Sequence, residues 1–288
     1  MPATPVAVVT DSTATLRPDV AAEHGITVVP LQVIIGTTPH DEGPGASPEM
    51  IAAAMKQHTP VSTSRPAPEA FVEVYEGLAA DGHPGIVSVH LSRQVSGTYE
   101  SALLAAKRVN VPVRVVDTGL VGIGTGLAAL AASRAIAGGG DADAAVAAAN
   151  ERAAATTSLI YVDTLDHLRR GGRVGHAAAL MGSALAVKLL LVIDDGRIMP
   201  LEKVRTSTRA LARIESHAVD AARALGEQPV VVVVQHLDAD ARAQALAASM
   251  RERLAERDVD ATVEVGETGA VIGAHVGPGM VAVVVAPG

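Results

Sequence analysis

Apolar and polar positions along the chain alternate between two periods. Short apolar runs of four to seven residues end in Asp, Ser, Thr or Gly, and longer stretches follow with apolar residues three or four apart. Val6–Thr10 reads as a buried strand that stops at Asp11-Ser12-Thr13, and Ile26–Ile35 reads as a second strand bent near Pro30. Ser47-Pro48-Glu49 predicts a helix start, with a hydroxyl at the cap, proline in the first turn and an acid at the positive end; the helix runs to about Gln57. Pro68 opens another helix, on which Phe71, Val74, Tyr75 and Leu78 share a face. Ile86–Leu91 is a strand, 96–108 a helix, Val113–Asp117 a strand and 122–137 an Ala-rich helix. Strands alternating with helices predict a mostly parallel sheet with helices on both faces.

Gly138-Gly139-Gly140-Asp141 interrupts this pattern, a further helix covers 142–155, and the domain boundary is expected between Thr156 and Asp163. Beyond it, Lys188–Ile193, the turn Asp194-Asp195-Gly196 and Arg197–Val204 predict a β-hairpin. A helix over 206–225, an apolar strand over Val230–Gln235, a helix capped by Asp238 and running to about Arg257, a strand over Val259–Val265, a short helix near 269–274 and a strand over Met280–Val285 complete the chain. The expected architecture is α/β with two domains. Residues 1–158 carry a mostly parallel sheet with flanking helices, and 159–288 a mixed sheet with helices.

Composition narrows the function. Residues of hydrophobic type make up 49% of the 288, enough for sizeable cores, yet the aromatics are one Phe, three Tyr and no Trp. An apolar pocket here is walled by aliphatic side chains, which suits a flexible alkyl chain better than a flat ring. The net charge of −8 and the absence of a basic stripe interleaved with aromatics argue against nucleic acid. No cysteine means no disulfide, thiol catalysis or thiolate metal site. Met1-Pro2-Ala3-Thr4 leads straight into the first strand without the features of a signal peptide, and no apolar run reaches membrane-spanning length, so the cytoplasm is the expected compartment.

Three turns carry the candidate chemistry: Thr63-Ser64-Arg65-Pro66, Val95-Ser96-Gly97-Thr98-Tyr99 and His275-Val276-Gly277-Pro278-Gly279. Polar turns at strand ends are where open α/β sheets hold ligands. Neutral donors such as Thr, Ser and His suit a carboxylate buried without a full counter-charge. Gly122-Ile123-Gly124-Thr125-Gly126 misses the dinucleotide spacing, because position 127 is Leu, and reads as close helix–sheet packing. No phosphate-binding P-loop motif occurs, so the chain carries no evident ATP site. The histidines form no zinc-binding cluster; His24, His58, His83 and His217 read as surface or helix-end residues, whereas His275 precedes a rigid glycine turn. Asp166–Arg173 reads as a helix with basic residues at its end and a glycine cap, which leaves Arg173 beyond the cap to reach an anion or a partner. Asp11-Ser12-Thr13 reads as a cap in preference to a source of ligand hydroxyls.

In their joint order these motifs resemble the DegV family of bacterial fatty-acid-binding proteins, the lipid-carrying subunits of fatty acid kinase. The resemblance rests on Asp11-Ser12, Thr63-Ser64-Arg65-Pro66, Ser96-Gly97-Thr98-Tyr99, Val116-Asp117-Thr118, Leu165-Asp166-His167-Leu168 with Gly171-Gly172-Arg173, Lys188 and His275-Val276-Gly277-Pro278-Gly279. It implies a long-chain fatty acid held between or within two α/β domains. Its carboxylate falls to Thr63, Ser96 and His275, with Ser64, Gly97, Thr98, Gly277 and Gly279 shaping the turns. It also implies a kinase partner similar to dihydroxyacetone kinase, which supplies ATP and metal and forms an acyl phosphate. Arg173 is the candidate contact to that partner, with Lys203 and Arg205 beside it. On this reading the chain is a binding subunit without catalysis, resident metal or cofactor of its own. It departs from the family pattern at Arg65, Ala67, Val95 and Leu189, positions that bear on pocket shape. Two other readings compete: a serine esterase or acyltransferase using Ser96 and His275, and a carrier of a small sugar or ketone, which needs a polar pocket.

Overall fold

The computed structural model describes residues 5–174 and 188–288; the reading of Met1–Thr4 lies outside them. From the N-terminus the elements are β1 (Ala7–Asp11), α1 (Pro18–Glu23), β2 (Ile26–Val29), β3 (Gln32–Ile35), β4 (Thr38–Asp41), α2 (Pro48–Lys56), β5 (Val61–Ser64), α3 (Pro68–Ala80), β6 (Ile86–His90), α4 (Thr98–Ala106), β7 (Val113–Asp117), α5 (Ile123–Ala137) and α6 (Ala142–Ala154). There follow β8 (Thr157–Val162), α7 (Asp166–Arg170), β9 (Lys188–Asp194), β10 (Arg197–Val204), α8 (Ser207–Ala224), β11 (Val230–His236), α9 (Asp240–Ala255), β12 (Ala261–Glu267), α10 (Ala270–Val276) and β13 (Val281–Pro287). Contacts divide the chain into two units, 1–32 with 64–154 and 33–63 with 155–288.

The first unit is built on a parallel sheet of order β2-β1-β6-β7. Its central strands β1 and β6 are buried at every position, as expected for parallel strands covered on both faces. Phe71 and Tyr75 of α3 pack with Val9, Val29, Ile86, Ala102 and Ala105 into one core. The Gly122–Gly126 segment serves packing: a Cβ on Gly126 would lie 2.5 Å from the carbonyl oxygen of Ala14. Asp11 caps a 3-10 turn by accepting from Thr13 N at 3.1 Å, while Ser12 Oγ accepts from Leu31 N at 2.9 Å.

Across this core runs a buried polar chain. Tyr75 Oη donates to Ser88 Oγ at 2.8 Å, Ser88 Oγ lies 2.7 Å from His90 Nε2, and His90 Nδ1 lies 2.8 Å from Asp11 Oδ2. A consistent set of donors runs from Tyr75 through Ser88 and His90 to Asp11 Oδ2. Ser88, His90 and Asp11 have the order of a hydrolase triad, but all three are fully buried and stitch α3, β6 and β1 together.

The second unit holds a mixed six-stranded sheet, β10-β9-β8-β13-β11-β12, in which only β11 and β12 are parallel. Leu190, Tyr161, Val283 and Val232 from this sheet meet Ile214 of α8 and Met250 of α9. The β9–β10 hairpin turns on Asp195 and Gly196, both at positive φ (46° and 72°), as a two-residue type I′ turn requires. A three-stranded sheet, β4-β3-β5, belongs to the 33–63 segment.

Four expectations change. The stretch Ile26–Ile35 is not one bent strand: β2 joins the first unit's sheet and β3 the small sheet of the second, the chain switching at Pro30-Leu31. The 156–163 boundary stretch is β8, a buried strand between β9 and β13. Residues 33–63 leave the expected 1–158 domain and join the C-terminal half. Lys56 Nζ lies 2.5 Å from Asp238 Oδ2, Glu42 Oε1 accepts from Val271 N at 2.8 Å, and α2 packs on α10. Asp238 consequently faces Lys56 rather than capping α9, which begins after Ala239 without a side-chain cap.

Candidate functional site

In the first unit, chain connection reverses between β1 and β6, the kind of crevice where ligands sit outside the carboxyl ends of parallel strands. The loop after β6 carries Ser96. Its Oγ lies 2.9 Å from Thr98 Oγ1 and accepts weakly from Thr98 N at 3.3 Å, so Ser96 is positioned by the start of α4. A Cβ on Gly97 would fall 2.0 Å from Arg65 Nη1, so the exposed arginine, which donates to the Gly97 carbonyl at 3.2 Å, would have to swing aside. Arg65, the departure from the family pattern noted in the sequence, thus clamps the Ser96 turn. Ser64 lies at the surface and Thr98 is fully buried.

In the second unit, β5 brings Thr63 to His275 at the end of α10, with Thr63 Oγ1 2.8 Å from His275 Nε2. Burial, aided by the Arg173 guanidinium, pushes the His275 imidazole down to about 4, so the ring is neutral at pH 7. Its Nδ1 is buried without a hydrogen-bond partner among the described residues. Two histidines and two glycines interleave here. A Cβ on Gly171 would lie 2.2 Å from His275 Nδ1, and one on Gly277 would lie 2.2 Å from His167 Cδ2. The two glycine motifs therefore make space for two imidazoles.

Residues the sequence did not single out hold this turn. Gly279, at φ 88°, presents its carbonyl to Arg242 Nη1 at 2.5 Å, and Arg242 Nη1 also lies 3.4 Å from Asp163 Oδ2. Asp163 accepts from Tyr161 Oη at 2.5 Å, and Lys188 Nζ donates to the Asp163 carbonyl at 2.8 Å. Asp163 follows β8, in the stretch where the domain boundary was expected. Glu42, which accepts from Val271 at the start of α10, carries no local signal at all.

Arg173 is half-buried and donates to the Gly171 carbonyl at 2.5 Å. Thr63, His275 and Arg173 line a cavity of about 820 Å³ within the second unit. Lys203 and Arg205 are exposed at the end of β10 and do not line it. Among the described residues no helix is long and apolar enough to cross a membrane, and no cluster of three or more His, Cys, Asp or Glu could hold a metal ion.

The family model described as uncharacterised protein, DegV family, matches residues 5–288. The chain belongs to the DegV family. A DegV domain-containing protein of Streptomyces coelicolor is 52% identical over 280 residues, covering 97% of this chain and 98% of the relative. A DegV family protein from Thermus thermophilus, for which fatty acid binding is described, superposes with a TM-score of 0.89 at 28% identity, covering 99% of this chain and all (100%) of that one. DegV of Bacillus subtilis, a fatty acid binding protein, gives a TM-score of 0.88 at 31% identity, with 99% and 100% coverage. The resemblance read from the motifs is a family membership, and the α/β fold with one parallel and one mixed sheet is the fold of these DegV structures.

Proposed function

We propose that this DegV protein binds a long-chain fatty acid and presents its carboxylate to an ATP-dependent kinase partner similar to dihydroxyacetone kinase, for conversion to an acyl phosphate. Thr63 and His275, with Ser96 of the first unit, are the proposed carboxylate ligands. The observation that carries the reading is the 2.8 Å Thr63–His275 contact in a family with solved members described as fatty acid binding.

The contact has a defined polarity. The neutral imidazole has one N–H, and His275 Nδ1 faces Gly171 with no acceptor. Placing the proton on Nε2 satisfies it through Thr63 Oγ1 and leaves the threonine O–H to donate to a carboxylate oxygen. A hydrogen bond to a charged group contributes about 1.5–3 kcal/mol. Each buried methylene of the tail adds roughly 0.8 kcal/mol, so the tail drives binding and the hydroxyls make burial of the head tolerable. A carboxylate held by neutral donors stays nucleophilic, and the γ-phosphate and metal come from the partner.

Mass spectrometry of an organic extract of the protein purified from bacteria is expected to find a fatty acid, and the delipidated protein is expected to melt higher once one is added. Thr63→Val and Ser96→Ala are each expected to weaken uptake by roughly tenfold, read by calorimetry. An empty extract together with no shift in melting on adding any fatty acid would reject the reading. Arg173, Lys203 and Arg205 are the proposed partner contacts. Arg173→Ala should retain the fatty acid and lose phosphorylation by the partner; a variant that comes out empty contradicts this role. The esterase reading requires Ser96 Oγ on an imidazole, whereas its partner in the first unit is Thr98. Labelling of Ser96 by a fluorophosphonate would revive it.

A further inference from the structure

Ser96 is fixed on its C-terminal side by Thr98 and by Arg65 on the Gly97 carbonyl. Its N-terminal side is fixed from other strands. β6 lies between β1 and β7, and each neighbour ends in an aspartate, Asp11 and Asp117, beside the end of β6. Asp117 is the register partner of His90, the last residue of β6. The first three amides beyond β6 are taken one after another. Leu91 N donates to Asp11 Oδ2 at 3.3 Å, Ser92 N to the Leu120 carbonyl at 2.8 Å, and Arg93 N to Asp117 Oδ1 at 3.2 Å.

The third of these bonds bears directly on Ser96. Ser92 O and Arg93 N belong to one peptide group, and that carbonyl accepts from Val95 N and Ser96 N, each at 3.2 Å. A peptide group is planar, so an acceptor that holds its N–H also sets the direction of its carbonyl. Asp117 therefore orients the carbonyl on which the Ser96 backbone rests. The carboxylate is itself anchored. Its Oδ1 also accepts from Gly119 N at 3.0 Å, and Arg93 Nε lies 3.5 Å from Oδ2. Next to it, Thr118 donates its N–H and its hydroxyl to the His90 carbonyl, at 3.1 and 2.9 Å. A charged acceptor holds backbone amides more strongly than a neutral one does.

We propose that Asp117 is a positioning residue for the fatty acid carboxylate: it acts through the Ser92–Arg93 peptide to set the place of Ser96, without touching the ligand. The ligand role rests on the function proposed above for Ser96; the grip on the turn does not.

The test uses the delipidated full-length protein. Palmitate is titrated by calorimetry into wild type, Asp117→Ala, Asp117→Asn, Ser96→Ala and the double variant carrying Asp117→Ala and Ser96→Ala. Asp117 is partly exposed at the end of an edge strand, so the variants are expected to fold, which urea midpoints check. Asp117→Ala is expected to weaken palmitate roughly tenfold, and Asp117→Asn, which keeps the acceptor oxygen, by no more than about threefold. In the Ser96→Ala background the same alanine should cost less than about twofold, because its effect runs through Ser96. A loss of the same size with and without the Ser96 hydroxyl, or no loss in either, overturns the proposal. Amide hydrogen exchange reads the grip without a ligand. The Val95 and Ser96 amides are expected to exchange faster in Asp117→Ala and at the wild-type rate in Asp117→Asn, with the amides of β1 unchanged throughout. If wild type binds no palmitate, the proposed function fails and exchange at Ser96 decides the grip: faster exchange in Asp117→Ala supports it, and unchanged exchange overturns it as well.

Discussion

At the scale of single residues, space rather than hydrogen bonding sets the tightest conditions. Gly171 leaves room for His275, and Gly277 for His167. Gly171→Ala is expected to displace His275 from Thr63, cost about 1–3 kcal/mol in urea unfolding, and remove most fatty acid uptake. Gly279→Ala is expected to be worse, since its φ of 88° disfavours any side chain and its Cβ would fall 2.1 Å from Asp163 Oδ2. If Gly171→Ala bound fatty acid as wild type does, the His275 position would not matter to the ligand. Thr63, Ser96 and His275 stand out in the sequence because each lies in a short polar segment that reads as a turn, although Thr63 falls on β5 and His275 in the last turn of α10. Asp163, Arg242 and Glu42 do not, because an isolated charge has no pattern until its partner is known.

At the scale of elements, the first unit depends on one side-chain chain linking three of them. Asp11 at the end of β1, His90 at the end of β6 and Tyr75 on α3 meet through Ser88 with no exposure to water. Removing Asp11 leaves the buried donors of His90 and Leu91 unpaired, so Asp11→Ala is expected to cost at least about 1–3 kcal/mol by chemical denaturation. A cost under about 1 kcal/mol would mean that the site hydrates. Ser88 is expected to stay unlabelled by a fluorophosphonate in the native protein, despite its triad-like neighbours. Most elements were legible from apolar period and turn chemistry, including the Asp195-Gly196 hairpin and the Ser47 cap, whose Oγ accepts from Met50 N at 3.3 Å. Two misreadings share a cause. Ile26–Ile35 is apolar apart from Thr27 and Gln32, and period does not reveal that its halves join different sheets. The Thr156–Asp163 stretch opens on Thr156, Thr157 and Ser158 after α6, although its apolar Leu159–Val162 core is that of a central strand.

For the whole molecule, the consequence of burial is a stability that depends on pH. Burial holds His275 at about 4, and it also lowers His167 and His236. Because these rings stay neutral in the fold, the unfolded chain takes up more protons below its histidine pKa of 6.5. Stability is therefore expected to be full above about pH 6.5 and to fall as the pH drops towards 4. Glu267 works in the other direction, since burial and the neighbouring Glu49 raise its carboxyl. Urea midpoints of the delipidated protein from pH 7.5 to 4.5 check this. A His275→Gln variant should flatten the slope, and an equally steep slope would place the sensitivity elsewhere.

Local chemistry in the sequence determined the alternation of strands and helices, the hairpin, the aliphatic character of any pocket and the ordered set of polar turns that marks the family. Tertiary structure alone decided that residues 33–63 leave their neighbours in the chain for the C-terminal half, and that Thr63 meets a histidine 212 positions away. Apolar period and turn preference act over a few residues. Which strand enters which sheet is settled by the burial that only the assembled unit provides, here through Glu42 on α10 and Lys56 on Asp238.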